Sequence, residues 1–268
     1  MTLELHNLYI GYDEDADRHI VAETLSASLA KGAMACLVGA NGVGKSTLMR
    51  TLAGFQPALR GEVCIDGRPI GEYTPNELSE KMGVVLTERN TAAELTVEEV
   101  VGIGRIPYTN FWGTLTSADR KVVDEAIDLV GIGALRHKKI GRVSDGERQK
   151  VMIAKTLAQQ TDVILLDEPT AFLDYGSKVS VMRLLRQLAH EQGKAVLLST
   201  HDLEIAFQMA DEVWILQQNG LQTGTLDALE QQGAVSAFLA KSGLRYEADS
   251  RRIVIGDEKA SLCSSKEG

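Results

Sequence analysis

The chain has 268 residues, 44% hydrophobic and 24% charged, the balance of a globular protein able to bury a core of its own. Lys and Arg number 28 against 37 Asp and Glu, a net charge of -9, which argues against a general polyanion binder and against nucleic acid as a partner. No uninterrupted apolar run reaches the roughly 18 residues of a membrane span, and three irregularly spaced cysteines, Cys36, Cys64 and Cys263, form no C-x-x-C pair, so reduced thiols serving as small apolar filler are expected.

Residues Met1 to Leu8 alternate like a strand and lack a charged stretch followed by an apolar one, so no secretory leader is read and a cytoplasmic location is expected. Residues 3–10 and 20–29 alternate with a period of two, and Met34-Ala35-Cys36-Leu37-Val38 is an apolar strand-like run. Then comes Gly39-Ala40-Asn41-Gly42-Val43-Gly44-Lys45-Ser46-Thr47, a match to G-x-x-x-x-G-K-[ST], followed by helical spacing over Thr47 to Ala53. Strand, loop and helix in that order predict a cradle for the phosphates of a nucleoside triphosphate. The glycines let successive N–H groups point at the phosphates, Lys45 reaches the β/γ oxygens, and the Ser46 hydroxyl can ligate Mg²⁺.

Gly61 to Gly67 has the turn-strand-turn look of a short antiparallel strand, so the N-terminal part is β-rich. From Thr96 to Leu135 apolar residues fall at helical spacing, interrupted by a Pro/Gly/aromatic loop at Ile106 to Gly113, and predict a largely helical insert. A helix is expected after Asp145, a strand at Val163 to Leu166, a helix through Leu188 and a strand at Ala195 to Thr200, the alternation of an α/β protein with a parallel sheet covered on both faces. The strand at Val163 ends in Asp167 and Glu168. Asp167, at the strand end, suits the metal shell, while Glu168, turned to the other side, is placed to polarise the attacking water. Beyond Gly224 the pattern becomes less regular, and Ser250 to Gly268 reads as a fraying tail.

The phosphate loop, Leu165-Leu166-Asp167-Glu168-Pro169-Thr170, Ala171-Phe172-Leu173-Asp174 and Ser199-Thr200-His201-Asp202 together resemble the Walker A, Walker B, D-loop and switch-histidine motifs of ABC-type ATPases, in order and spacing, to about Thr225. The resemblance implies a phosphate-loop NTPase core of the RecA-like kind with an antiparallel β subdomain and a helical insert at about 90–140. It implies an ATPase domain over 1–228, a partly flexible extension over 229–268, and a homodimer that sandwiches ATP and Mg²⁺. His201 would sense the γ-phosphate, Asp174 would act across the dimer, and Tyr12 stands where the family stacks an aromatic ring on adenine.

Val143-Ser144-Asp145-Gly146-Glu147-Arg148-Gln149 is similar to the Leu-Ser-Gly-Gly-Gln-Arg-Gln signature, which contacts the γ-phosphate held by the opposite subunit. Asp145 and Glu147 depart from it and bring two carboxylates towards a triphosphate, at a cost in affinity unless Arg148 or a cation offsets them. The same residues are also a good helix start without any nucleotide. No glutamine stands at the family's Q-loop position. Thr87 occupies it with Glu88 beside it, and one of the two is expected to substitute.

In the insert, Gly104-Arg105-Ile106-Pro107-Tyr108 and Phe111-Trp112-Gly113 are similar to ATPases of iron-siderophore, haem and cobalamin importers. That resemblance implies separate integral-membrane permease subunits, an extracytoplasmic substrate-binding protein acting indirectly, and a peripheral seat on the inner face of the cell membrane. Tyr108, Phe111 and Trp112 are expected to form the docking patch, or else to cover the insert's own core. A soluble ABC ATPase without a permease and an exporter ATPase are the other readings.

Overall fold

The computed structural model describes residues 2–14, 17–86, 93–110, 112–248, 250 and 252–256. Strands β1 (Thr2–Glu14) and β2 (Asp17–Ala30) pair antiparallel through several register shifts, the irregularity that bends a long ribbon. After them come β3 (Met34–Val38) and helix α1 (Lys45–Leu52). β4 (Arg60–Ile65) lies on the other edge of β1 and turns into β5 (Arg68–Pro69) through Asp66-Gly67, both with positive φ. An Asp-Gly pair meets that turn's demand for two left-handed residues. The result is an antiparallel sheet in the order β2-β1-β4-β5.

α2 (Pro75–Lys81) leads into β6 (Met82–Val85), and the insert contributes α3 (Val97–Gly102) and α4 (Ser117–Val130). Then follow α5 (Asp145–Ala158), β7 (Val163–Leu166), α6 (Tyr175–Gln192), β8 (Ala195–Ser199), α7 (Leu203–Met209), β9 (Glu212–Gln217) and β10 (Gly220–Gly224). The main sheet runs β10-β9-β3-β8-β7-β6, with every pair parallel except β10 on β9. Successive residues of β3 point to opposite faces. Ala35 and Leu37 join α1 and the antiparallel sheet in one core, whereas Met34, Cys36 and Val38 join α5, α6 and α7 in the other. Two buried faces explain why the central strands are apolar without alternation. Cys36 and Cys64 are buried and free, the filler role expected of them, and burial pushes the Cys36 thiol up. Cys263 lies outside the described residues.

The C-terminal part is more regular than its sequence suggested. α8 (Leu226–Gln231) and α9 (Ala234–Ala240) place Leu229, Val235 and Leu239 in the same core as α6, and α8 runs across residue 228. β11 (Leu244–Glu247) and β12 (Arg252–Ile255) then form a hairpin, so the expected fraying does not begin at Ser250, while the rest of that expected tail, 257–268, lies outside the described residues. Tyr246 is buried edge-on against Phe207 of α7, with ring centroids 5.9 Å apart. This contact and the partly buried Leu244 and Ile253 hold the hairpin to the core.

A buried ion pair organises the insert. Thr96 and Thr116 open α3 and α4 with capping boxes to Glu99 and Asp119. Between the helices, Arg105 turns inward, its Nε donating to Asp119 Oδ1 at 3.0 Å and its Nη1 to the Ala158 carbonyl and Gln160 Oε1, both at 2.8 Å. The guanidinium lies 4.0 Å from the Tyr108 ring centroid, and the Tyr108 hydroxyl donates to the Gln159 carbonyl. Hydrogen bonds from the Thr116 hydroxyl and N–H, then from Arg105, hold the Asp119 carboxyl below its ordinary range. Tyr108 is therefore tied to the end of α5 while 39% of its surface stays exposed. Trp112 is 83% exposed, and Phe111 lies outside the described residues.

Removing one partner of a buried ion pair strands the other in low dielectric. Arg105→Ala is expected to cost about 3–5 kcal/mol of stability, read as the shift of the urea midpoint at unchanged slope. A loss below about 1 kcal/mol would mean that the pair behaves as a surface contact.

Candidate active site

The loop Gly39 to Gly44 leaves the C-terminal end of β3 and enters α1 at Lys45. Gly44 is the N-cap at φ 109, and a Cβ there would lie 2.4 Å from Val21 Cγ1, so both the backbone conformation and the space restrict the position to glycine. The first N–H groups of α1 have no partners within the helix and face the loop end, the donor set of an anion site. The Lys45 ammonium is folded into the loop, donating to the Gly39 and Ala40 carbonyls at 3.0 and 3.3 Å. Burial pulls its pKa below the usual lysine range, while the charges of Glu168 and Asp167 oppose that shift. The Tyr12 hydroxyl is 3.1 Å from Thr47 Oγ1, so the ring, 40% exposed, stands at the entrance to the loop.

β7, separated from β3 by β8, delivers the acidic groups, and β8 delivers Ser199 and leads to His201. Asp167 is 8% exposed and its N–H donates to the Val85 carbonyl at 2.8 Å. Glu168 follows at φ 49, an uncommon conformation for a residue with a Cβ. The fully buried Ser199 holds the turn between them. Its hydroxyl donates to Asp167 Oδ1 at 2.6 Å and accepts the Glu168 N–H at 2.8 Å. The rotation at Glu168 turns its carboxylate away from that of Asp167 and towards His201, whose Nδ1 is 3.5 Å from Glu168 Oε2. Sequence reasoning missed Ser199. Its only signal was a polar residue closing the apolar run Ala195 to Leu198, and nothing in residue type revealed which carboxylate it would hold.

Ser46 and Asp167 offer one hydroxyl and one carboxylate, hard oxygen donors that fit Mg²⁺ when phosphate and water fill its remaining positions. Among the described residues no group of three or more His, Cys, Asp or Glu could hold a metal. Thr87 and Glu88 lie outside the described residues, and the chain reaches them from β6, whose last residue, Val85, pairs with Leu166.

The residues at the start of α5 sit elsewhere. Among the described residues no hydrogen bond or ion pair joins Ser144 to Glu147 with the loop. Ser144 and Glu147 form a capping box, with the Glu147 carboxylate accepting from the Ser144 N–H at 2.8 Å and the Ser144 hydroxyl accepting the Glu147 N–H at 3.3 Å. These bonds hold the Glu147 carboxyl below its ordinary range. Asp145 pairs with Arg148 at 3.0 Å, so each of the two unexpected carboxylates has a local partner. Gly146 is pressed against α6, where a Cβ would meet Ser177 Oγ at 3.1 Å. Asp174 caps α6 by accepting the Ser177 N–H at 3.0 Å, and Asp202 caps α7 while pairing with Lys178 at 2.9 Å.

The ABC transporter family model matches residues 22–171. Over 217 residues the chain is 40% identical to an uncharacterized ABC transporter ATP-binding protein of Methanocaldococcus jannaschii, covering 81% of this chain and 73% of that protein. It is 31% identical over 243 residues to the iron(3+)-hydroxamate import ATP-binding protein FhuC of Bacillus subtilis, covering 88% of this chain and 89% of that one. Among solved structures, a bacterial ABC transporter cassette in dimeric form superposes with a TM-score of 0.72 at 25% identity, over 84% of this chain and 98% of that one.

Ser199→Ala leaves the Asp167 carboxylate and the Glu168 N–H each short of a buried partner. The expected cost is about 1–3 kcal/mol, measured by thermal or urea unfolding. An unchanged midpoint would show that other groups hold the two acidic residues.

Proposed function

The chain belongs to the ABC transporter family as one of its ATP-binding ATPases, and on that premise we propose that it powers import of a ferric siderophore, haem or cobalamin type of cargo through separate permease subunits. The observation that carries the catalytic part is the meeting of Lys45, Asp167, Glu168 and His201 at the C-terminal ends of the adjacent parallel strands β3, β7 and β8. Open α/β sheets bind their ligands at that edge.

In this reading the triphosphate of ATP lies over Gly39 to Thr47 and the adenine lies on Tyr12. Lys45 leaves the Gly39 and Ala40 carbonyls for the β/γ oxygens, so the ammonium exchanges two backbone acceptors for anionic ones. Ser46 and Asp167 hold Mg²⁺, which when bound neutralises charge on the phosphate oxygens. Glu168 accepts the proton of the attacking water, and His201, beside that carboxylate, hydrogen-bonds the γ-phosphate. The hydroxyl of Thr87 or the carboxylate of Glu88 stands in for the missing glutamine. Catalysis is then positioning and charge stabilisation rather than covalent chemistry.

Two copies of the chain sandwich two nucleotides, with Ser144 and Gly146 of each facing the other's phosphate loop and Asp174 acting across the dimer. The Glu147 carboxylate occupies the Ser144 donors that a γ-phosphate would use, so closure has to displace it. Cargo class and direction rest on the likeness to an iron(3+)-hydroxamate import ATP-binding protein and on the Gly104 to Tyr108 stretch. No helix among the described residues is long and apolar enough to cross a membrane, so the chain sits peripherally on the cytoplasmic face by holding a permease. Two apolar surfaces suit that contact. One is Trp112 with Ile106 on the insert, and the other is a groove of about 810 Å³ lined by Phe55, Pro57, Ile70, Tyr73 and Leu78. An extracytoplasmic binding protein would act on the permease alone.

Glu168→Gln is expected to lower ATP turnover at least about 100-fold while an ATP-bound dimer accumulates, and the tagged variant should bring down a multi-span permease from detergent-solubilised membranes. Normal hydrolysis would refute the base assignment, and recovery of soluble partners alone would favour an ABC ATPase without a permease. Glu147→Gln keeps the capping geometry but removes the competing charge. It is expected to lower the ATP concentration needed for half-maximal dimerisation roughly three- to tenfold, less at high salt, and an unchanged ATP requirement would count against the displacement.

A further inference from the structure

His201 is the group of the candidate site that its own side chain anchors least. The imidazole is 54% exposed, and among the described residues no hydrogen bond reaches its ring, the Glu168 carboxylate being 3.5 Å away. The ring is therefore placed by the backbone on either side of it. On one side Thr200 is buried, and its N–H donates to the Leu37 carbonyl of β3 at 3.0 Å. On the other stands Asp202, whose backbone, at φ -88 and ψ 84, belongs to neither helix nor strand.

Four bonds hold Asp202 in that conformation. Its N–H donates to Thr200 Oγ1 at 3.0 Å, its carbonyl accepts the Ala206 N–H at 3.1 Å, and its Oδ1 accepts the Ile205 N–H at 3.4 Å. All three partners lie between Thr200 and Ala206, so these bonds shape the turn into α7 without fixing where the turn sits. The fourth bond comes from another element: Lys178 Nζ, on the first turn of α6, donates to Asp202 Oδ2 at 2.9 Å. The two side chains are 21% and 20% exposed, so water and salt screen the pair less than one on open surface. Lys178 also stands on a firm base. Its own N–H closes the first turn of α6 on the Asp174 carbonyl at 2.9 Å, and Val181, Met182 and Leu185 bury the next turns of the helix in the core.

We infer that Lys178 is a positioning residue for His201: by holding the Asp202 carboxylate to α6, it keeps the imidazole beside Glu168. The role of His201 is taken from the proposed function, and the inference adds the group that sets its place. Lys178 meets neither nucleotide nor metal in this reading. It acts through the peptide that joins Asp202 to His201, and a small misplacement of a group that must meet both a phosphate and a carboxylate is costly to the rate.

The test uses the full chain with Mg-ATP, at a temperature well below the thermal midpoint of every variant. Lys178→Met keeps most of the stem and removes the cation. It is expected to lower kcat at least about tenfold and to leave KM within about twofold, because nothing at the phosphate loop changes. Lys178→Arg offers a cation to the same carboxylate and is expected to recover most of the lost rate. Asp202→Asn keeps the cap of α7 through its side-chain oxygen and is expected to match Lys178→Met, with the double variant no slower than either. Normal kcat in Lys178→Met beside a slowed His201→Ala overturns the inference alone, and so does a lowered thermal midpoint without a lowered kcat. Normal turnover in His201→Ala removes the role of the histidine, and the inference with it. A second readout needs no turnover. The imidazole carbon-13 signal of His201 in the nucleotide-free chain, identified by its absence from His201→Ala, is expected to move in Lys178→Met while those of the other histidines stay. An unmoved His201 signal overturns the inference as well.

Discussion

The phosphate loop is held in place because β3 is buried on both faces. Its five residues are inaccessible, three facing the helices of α5 to α7 and two facing α1 and the antiparallel sheet. A strand fixed between two cores cannot shift register without moving side chains of both into the wrong layer. The loop that leaves its end is thus anchored at one side by a rigid strand and at the other by α1, and β7 and β8 bring their terminal groups to the same edge. Precise placement of Lys45, Asp167 and Glu168 is a property of the sheet before it is a property of the site.

Ser199 works at a smaller scale on the same edge. One hydroxyl, with one donor and two lone pairs, meets a carboxylate on the strand beside it and the amide of the next residue. Asp167 and Glu168 would otherwise be two like charges on consecutive residues. The left-handed turn that Ser199 stabilises leaves the Asp167 carboxylate on the Ser199 hydroxyl and the Glu168 carboxylate beside His201. Their separate surroundings follow from backbone geometry, since the side chains differ by a single methylene.

Much of this was legible in the sequence where a pattern had one physical meaning. A glycine-rich loop between an apolar strand and an amphipathic helix, and an apolar run ending in two acids, located the site and the parallel sheet. Legibility failed where meaning depends on distant partners. Nothing near Arg105 in the sequence revealed that Asp119 and the end of α5 draw it inward, or that the partly exposed Tyr108 ring lies over its guanidinium. The C-terminal hairpin was invisible because its strands are four residues each, and what fixes them is Tyr246 on Phe207, nearly 40 positions upstream. For Asp145 and Glu147 the sequence offered Arg148 or a cation as the offset and a capped helix start as the role, and the structure has Arg148 and the Ser144 cap, both within one helical turn, engaging them.

The Arg105 network has a mechanical side. Its bonds to the Ala158 carbonyl and Gln160 grip the C-terminal end of α5, while Ser144 and Glu147 sit at the other end of that helix, 14 residues and about 21 Å away. An α-helix is stiff along its axis, and this one is clamped at the far end by a buried charge pair rather than by a yielding surface contact. The insert and the start of α5 therefore behave as the two ends of one strut. Whatever moves Arg105 and Tyr108 also loads the axis of the helix that begins at Ser144.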